Sequence, residues 1–88
     1  NTAVLANVET LTGGSGADEV TLSTVVTNGN VNLAGGDDKL TLADGANIIT
    51  VANAESIVGG TGNDTVTLAS TLPSTAEVDL GDGNDTLN

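Results

Sequence analysis

Aspartates at the ends of glycine-rich segments are the residues through which this sequence could do chemistry. Each segment continues into a short apolar stretch, and the four read GGSGADEVTL, AGGDDKLTL, GGTGNDTVTL and GDGNDTLN. Their turn aspartates are Asp18, Asp38, Asp64 and Asp85. If the segments stack on one another, the aspartates form one column of carboxylates, and such a column requires cations.

Calcium is the cation that this combination of residues favours. Ca²⁺ takes roughly six to eight oxygen ligands from carboxylates and backbone carbonyls, and glycine lets a turn direct its carbonyls toward one point. Mg²⁺ requires a tight octahedron that irregular turns rarely provide, and the sequence contains no His or Cys for Zn²⁺. The predicted ligand set is the four aspartates with the turn glycines Gly14, Gly16, Gly36, Gly60, Gly62 and Gly83.

The charge of the chain also predicts a bound cation. Twelve acidic residues face a single basic one, Lys39, and the net charge is −11. Two carboxylates about 5 Å apart repel by about 3 kcal/mol at an effective dielectric constant of about 20. We therefore expect folding to be coupled to metal binding. The same acidity argues against a nucleic-acid partner and against anionic membranes, because both require Lys and Arg.

The length and composition predict one domain that spans 1–88. The sequence has no Cys for disulfides, no apolar run long enough for a membrane-spanning helix, and no signal-peptide pattern. It begins with Asn and contains no Met, so we expect a piece of a longer chain.

The elements that must position the aspartates are indicated by an internal repeat. Residues 7–22 align without a gap with residues 53–68 at an offset of 46, and residues 31–40 align with 78–87 at an offset of 47. The repeat units are 7–52 and the incomplete 53–88, and each contains one long and one short turn. Division of the unit predicts about four stacked coils of about 23 residues.

Short strands with alternating apolar residues join the turns. Val20–Leu22, Leu40–Leu42, Val66–Leu68, Val31–Leu33 and Val78–Leu80 alternate, Asn47–Val51 and Thr24–Thr27 suggest a third strand per coil, and a bend is expected at Val8–Leu11. Pro73 is expected to fix a turn. Stacking predicts two inner ladders, one of Val20, Leu40, Val66 and Leu87 and one of Leu22, Leu42 and Leu68. The fold class is therefore all-β, a parallel β-solenoid.

The turns resemble the calcium-binding nonapeptide of the RTX (repeats-in-toxin) family, G-G-x-G-x-D followed by x, an aliphatic residue and x. Gly13–Thr21 and Gly59–Thr67 match it in full, Asp82–Asn88 matches in part, and Gly35–Leu40 is degenerate. The resemblance implies a right-handed parallel β-roll, Ca²⁺ in the turns, and a secreted protein exported by a type I system. In contrast to the usual back-to-back nonapeptides, extra strands intervene here.

We therefore expect a calcium-stabilised structural module of an RTX-like protein: an adhesin spacer, or a building block of a surface layer or extracellular filament. The alternative is the calcium-dependent export module of an RTX enzyme or toxin whose catalytic domain lies outside this chain. The expected partners are calcium ions and either neighbouring repeats or other copies, end to end or side by side.

Other function classes find less support in the sequence. We expect no enzyme, because the sequence offers no His, Cys or Tyr and its serines have no activating base. Thr61 and Asn63 resemble the Thr/Asn face of ice-binding solenoids, but the aligned pairs are Ser15/Ala17 and Asp82/Asn84, so that face is not maintained. A lectin-like module would have no aromatic platform.

Overall fold

A computed structural model describes residues 1–7, 9–70 and 76–88 of the chain. The turn predicted at Pro73 and the first residue of the bend predicted at Val8–Leu11 lie outside the described residues. In the rest of that segment, Glu9 is in a bend, and Thr10 and Leu11 belong to a strand. In the described part all regular structure is β, and no helix there is long and apolar enough to cross a membrane. The strands are β1 (Thr2–Leu5), β2 (Thr10–Thr12), β3 (Glu19–Leu22), β4 (Thr27–Asn32), β5 (Lys39–Thr41), β6 (Ile48–Ala52), β7 (Ser56–Thr61), β8 (Thr65–Leu68), β9 (Glu77–Asp82) and β10 (Thr86–Leu87).

Odd and even strands form two separate parallel sheets. Sheet A has the order β1-β3-β5-β7-β9, and sheet B has the order β10-β8-β6-β4-β2. Because consecutive strands alternate between the sheets, the chain winds as a solenoid in which each coil contributes one strand to each sheet. This confirms the predicted all-β parallel β-solenoid, and four turns of the chain connect the five strands of each sheet.

The coils are shorter than the predicted 23 residues. Equivalent residues of adjacent coils are 17 residues apart between Asp38 and Glu55, 20 apart between Asp18 and Asp38, and 21 apart between Asp64 and Asp85. The prediction of three strands per coil is wrong because Asn47–Val51, taken as the third strand, supplies β6 of sheet B. Each coil therefore has two strands and two turns.

The sequence repeat corresponds to five strands, which is two and a half coils. At the offset of 46, β1 falls on β6, β2 falls on the start of β7, and β3 falls on β8. Five is an odd number, so each repeat places its copy of a given strand in the opposite sheet. Two segments with nearly the same sequence therefore do not stack on each other.

The core lies between the two sheets and consists of small aliphatic ladders. In sheet A, Val20 pairs with Leu40 and Leu40 pairs with Ile57, whereas in sheet B Val66 lies between Ile49 and Leu87. The predicted ladder that joined Val20 and Leu40 to Val66 and Leu87 is therefore wrong, because it combined residues of both sheets. The second predicted ladder fails in the same way: Leu22 is in β3 of sheet A, whereas Leu68 pairs with Val51 in sheet B.

Candidate functional site

The four predicted aspartates divide into two columns instead of one. The sheet A column precedes strands β3, β5 and β7 and consists of Asp18, Asp38 and Glu55. The sheet B column precedes β6, β8 and β10 and consists of Asn47, Asp64 and Asp85. The single predicted column is wrong because Asp64 is the copy of Asp18 five strands later, where the same turn leads into the other sheet.

Backbone-to-side-chain hydrogen bonds connect the members of the sheet A column. The N–H of Asp18 donates to Oδ1 of Asp38 at 2.8 Å, and the N–H of Asp38 donates to Oε2 of Glu55 at 2.8 Å. The side chains of Asp38 and Glu55 thus each accept the N–H of the preceding member of the column. Leaving such a buried N–H without an acceptor would cost about 1–3 kcal/mol.

The sheet B column follows the same rule. The N–H of Asn47 donates to Oδ1 of Asp64 at 3.1 Å, and the N–H of Asp64 donates to Oδ1 of Asp85 at 2.9 Å. One coil earlier, the N–H of Val26, which directly precedes β4, donates to Oδ1 of Asn47 at 3.0 Å. One oxygen of each side chain therefore has a structural role that involves no metal.

The second carboxylate oxygen is the unusual feature of both columns. Among the described residues, Asp18 Oδ1, Asp38 Oδ2 and Asp64 Oδ2 are buried without any hydrogen-bond partner. The three residues are only 5 %, 2 % and 0 % exposed. Burying a carboxylate without a compensating charge costs several kcal/mol, so these oxygens are where a cation would be most stabilising.

Asp18 differs from the other two because the amine of Asn1 lies 3.2 Å from its Oδ1. Its other oxygen, Oδ2, accepts the N–H of Gly14 at 3.0 Å. The Gly14 hydrogen bond and then the amine lower the pKa of Asp18 below its ordinary value of 3.8, and burial opposes them. Positive charge at Oδ1 thus favours the ionised carboxylate.

Glycines with positive φ shape the turns that lead into the sheet B column. Gly45, Gly62 and Gly83 have φ of 117°, 108° and 133°, and each lies two residues before its column member. They stack on one another so closely that a Cβ on Gly62 would lie 2.7 Å from the carbonyl oxygen of Gly45. The turn backbones therefore approach one another as only glycine allows.

The other predicted glycines have more varied surroundings. Gly36 stacks against Gly16, and Gly14 provides the N–H that binds Asp18. Gly60 lies inside β7 and pairs with Gly81 of β9, so it is a strand residue and not the turn residue that the motif predicted. The turn before Asp64 is correspondingly short.

The residues present could bind a cation through single carboxylates whose second oxygen is buried and unpartnered. In the part of the chain that the structure describes, no group of three or more acidic side chains converges. A cation there would be held by no more than two of these carboxylates and would require further oxygen ligands. Such an all-oxygen set suits Ca²⁺, which tolerates irregular geometry, better than Mg²⁺. The unpartnered oxygens of Asp38 and Asp64 are the ligands that the structure supports best.

Sequence reasoning missed two column members, Glu55 and Asn47. Both lie two residues after a residue with positive φ, since Asn53 has φ of 56° and Gly45 has φ of 117°. The aspartate-containing turns have the same spacing, with Gly62 two residues before Asp64. A search for Gly or Asn two residues before any polar residue, at half-coil intervals, would have found them.

Comparisons of the sequence with family models and with curated proteins, and of the fold with solved structures, gave no match.

Proposed function

We propose that this chain is a calcium-stabilised structural module of a secreted RTX-like repeat protein, serving as an adhesin spacer or as a building block of a surface layer or extracellular filament. The observation that carries the proposal is the pair of buried, unpartnered oxygens on Asp38 and Asp64. The match of two turns to the RTX nonapeptide supports calcium and secretion.

Charge supports a role for calcium in folding. The net charge is −11, and the columns bring carboxylates into adjacent coils, where Asp38 bonds to the backbone of Asp18 and Asp85 bonds to that of Asp64. In a compartment with little calcium, repulsion and the cost of burial oppose folding. Outside the cell, bound Ca²⁺ reverses both effects, so export of an unfolded chain is followed by folding.

The ends of the two sheets support a role as one segment of a longer assembly. Among the described strands, β1 and β9 of sheet A and β2 and β10 of sheet B have a neighbour on one side only. Open parallel edges pair readily with further strands. A neighbouring repeat, or a second copy placed end to end, would continue both sheets and both columns.

Chelation tests the proposal. Far-UV circular dichroism and thermal unfolding are measured in millimolar Ca²⁺, in Mg²⁺ at the same concentration, and in EGTA. We expect a folded β spectrum in Ca²⁺, and a lower melting temperature or an unfolded chain in EGTA and in Mg²⁺. A melting temperature that is the same in all three solutions would overturn the proposal.

A further inference from the structure

Asn47 occupies a buried position in the sheet B column where Asp64 and Asp85 have carboxylates. It is 0 % exposed. Its Oδ1 accepts the N–H of Val26, as Asp64 Oδ1 accepts the N–H of Asn47. Because Oδ1 of Asn47 and Oδ1 of Asp64 accept equivalent N–H groups, Nδ2 of Asn47 occupies the position that corresponds to Asp64 Oδ2. Asp64 Oδ2 is the oxygen without a partner.

Three oxygens converge on this nitrogen. Nδ2 of Asn47 donates to the carbonyl of Ala43 at 2.8 Å, to the carbonyl of Gly45 at 3.1 Å and to Oδ1 of Asp64 at 2.8 Å. Two turn carbonyls and one carboxylate oxygen are the donor types that a hard divalent cation uses. The distances are a few tenths of an ångström longer than Ca–O bonds of about 2.3–2.6 Å.

We infer that the side-chain amide of Asn47 takes the place of a metal ion between Asn47 and Asp64 in the sheet B column. The NH₂ group has two positive hydrogens, one of them shared between two acceptors, and together they satisfy the two carbonyls and the Asp64 oxygen. The junction between these coils is thereby closed without a cation. The steps with unpartnered oxygens, at Asp38 and Asp64, have no such group. The junction between Asn47 and Asp64 is therefore metal-independent, whereas under the proposed function the unpartnered oxygens of Asp38 and Asp64 depend on metal.

One substitution converts this junction into a metal site. Asn47→Asp keeps the size and the Oδ1 hydrogen bond but replaces the NH₂ group with an oxygen that faces the same three oxygens. In EGTA we expect its melting temperature to fall by about 10 °C or more relative to the parent chain, because buried hydrogen bonds are lost and a charge is buried. Saturating Ca²⁺ should restore most of that loss.

Calcium stoichiometry gives the second readout. Isothermal titration should show one more Ca²⁺ per chain for Asn47→Asp than for the parent chain. Asn30→Asp is the matched control. Asn30 is exposed on β4, so the substitution adds the same negative charge at a site that is not buried. It should bind the same number of ions as the parent. Asn47→Ala, which removes both groups, should lose stability in EGTA and should gain no more from Ca²⁺ than the parent chain does.

The inference rests on the proposed function for the metal dependence at Asp38 and Asp64. The experiments can nevertheless contradict either one without the other. If the parent chain binds no Ca²⁺ but Asn47→Asp binds one ion, the surrogate role of the amide stands and the proposed function fails. If the parent binds Ca²⁺ but Asn47→Asp binds no additional ion, or remains unfolded in saturating Ca²⁺, the inference is overturned and the proposed function stands.

Discussion

At the scale of single residues, the two oxygens of each column carboxylate have different roles. Oδ1 of Asp38 and Oδ1 of Asp64 accept backbone N–H groups of the preceding coil, while Oδ2 of each is buried without a partner. The first role explains why an acidic residue is useful even before metal is considered. The second explains why the neutral amide of Asn47 can replace a carboxylate and its cation, and why a cation is expected beside Asp38 and Asp64.

The acid sensitivity of Asp18 follows from its lowered pKa. A carboxyl with a lower pKa in the folded state stabilises that state fully above its ordinary value of 3.8, and this contribution is lost as the pH falls through the folded pKa. Without calcium, the parent chain should lose stability below about pH 4 more steeply than Asp18→Asn.

Urea unfolding at several pH values measures this difference. Asp37→Asn serves as the control, because Asp37 is an exposed neighbour of the column. If Asp18→Asn and the parent show the same slope below pH 4, the hydrogen bond from Gly14 and the nearby amine do not stabilise the charge of Asp18.

Glycine is required where φ is positive and a neighbouring turn occupies the position of a Cβ, and it is optional where neither condition holds. Gly62→Ala should destabilise the chain by about 1–3 kcal/mol, because φ is 108° and the new Cβ would contact the backbone of Gly45. Gly16→Ala is the control, since a Cβ there meets nothing within 4 Å. Denaturant midpoints measure both variants. Equal midpoints would show that the turns do not stack as described.

At the scale of elements, the strands determine which turns become neighbours. The inner residues of β5, β7 and β8 include Leu40, Ile57 and Val66, each at most 1 % exposed. Without aromatic side chains, the core depends on the close contact of such small residues in adjacent strands. The strands thereby hold the turn aspartates in register, so the proposed cation binding would depend on the stability of the core.

Two adjacent residues of β8 test the assignment of the inner and outer faces. Val66→Ala should cost about 2–3 kcal/mol, because Val66 is 0 % exposed between Ile49 and Leu87. Thr67→Ala, on the exposed face, should change stability by no more than about 0.5 kcal/mol. Chemical unfolding in Ca²⁺ measures both, and a larger loss for Thr67→Ala would contradict the assignment.

At the scale of the whole molecule, a net charge of −11 raises the question of whether cations act by screening or by binding. Screening acts on exposed charges over a Debye length, about 10 Å at 0.1 M salt. The unpartnered oxygens of Asp38 and Asp64 are buried, so mobile salt does not compensate them. Bound ions and mobile ions should therefore have separable effects on stability.

Salt and calcium titrations distinguish the two effects. Adding NaCl up to about 0.5 M in EGTA should raise the melting temperature only slightly, because it screens surface repulsion alone. Millimolar Ca²⁺ added to the same NaCl solution should raise it further, with a saturating dependence on concentration. If NaCl alone produces the full increase, calcium acts by screening, and the buried oxygens do not bind it.

The sequence by itself determined the class of structure and placed carboxylates in its turns. Alternation in Val20–Leu22 and Val66–Leu68 indicates which residues face inward, and glycine two residues before Asp64 indicates a tight turn. These signals are local, since strand alternation and turn conformation depend on neighbouring residues in the chain. They suffice for an all-β solenoid with carboxylates in its turns.

Only the tertiary structure decided which carboxylates are neighbours. Asp18 and Asp64 lie in nearly identical sequences, yet they belong to different columns because the 46-residue repeat spans five strands and reverses the sheet. Inward and outward alternation is the same for any choice of partner strand, so it cannot specify that choice. The partner strands are set by the register between coils. This register divides the one expected column into two and places Asn47 in the same column as Asp64 and Asp85.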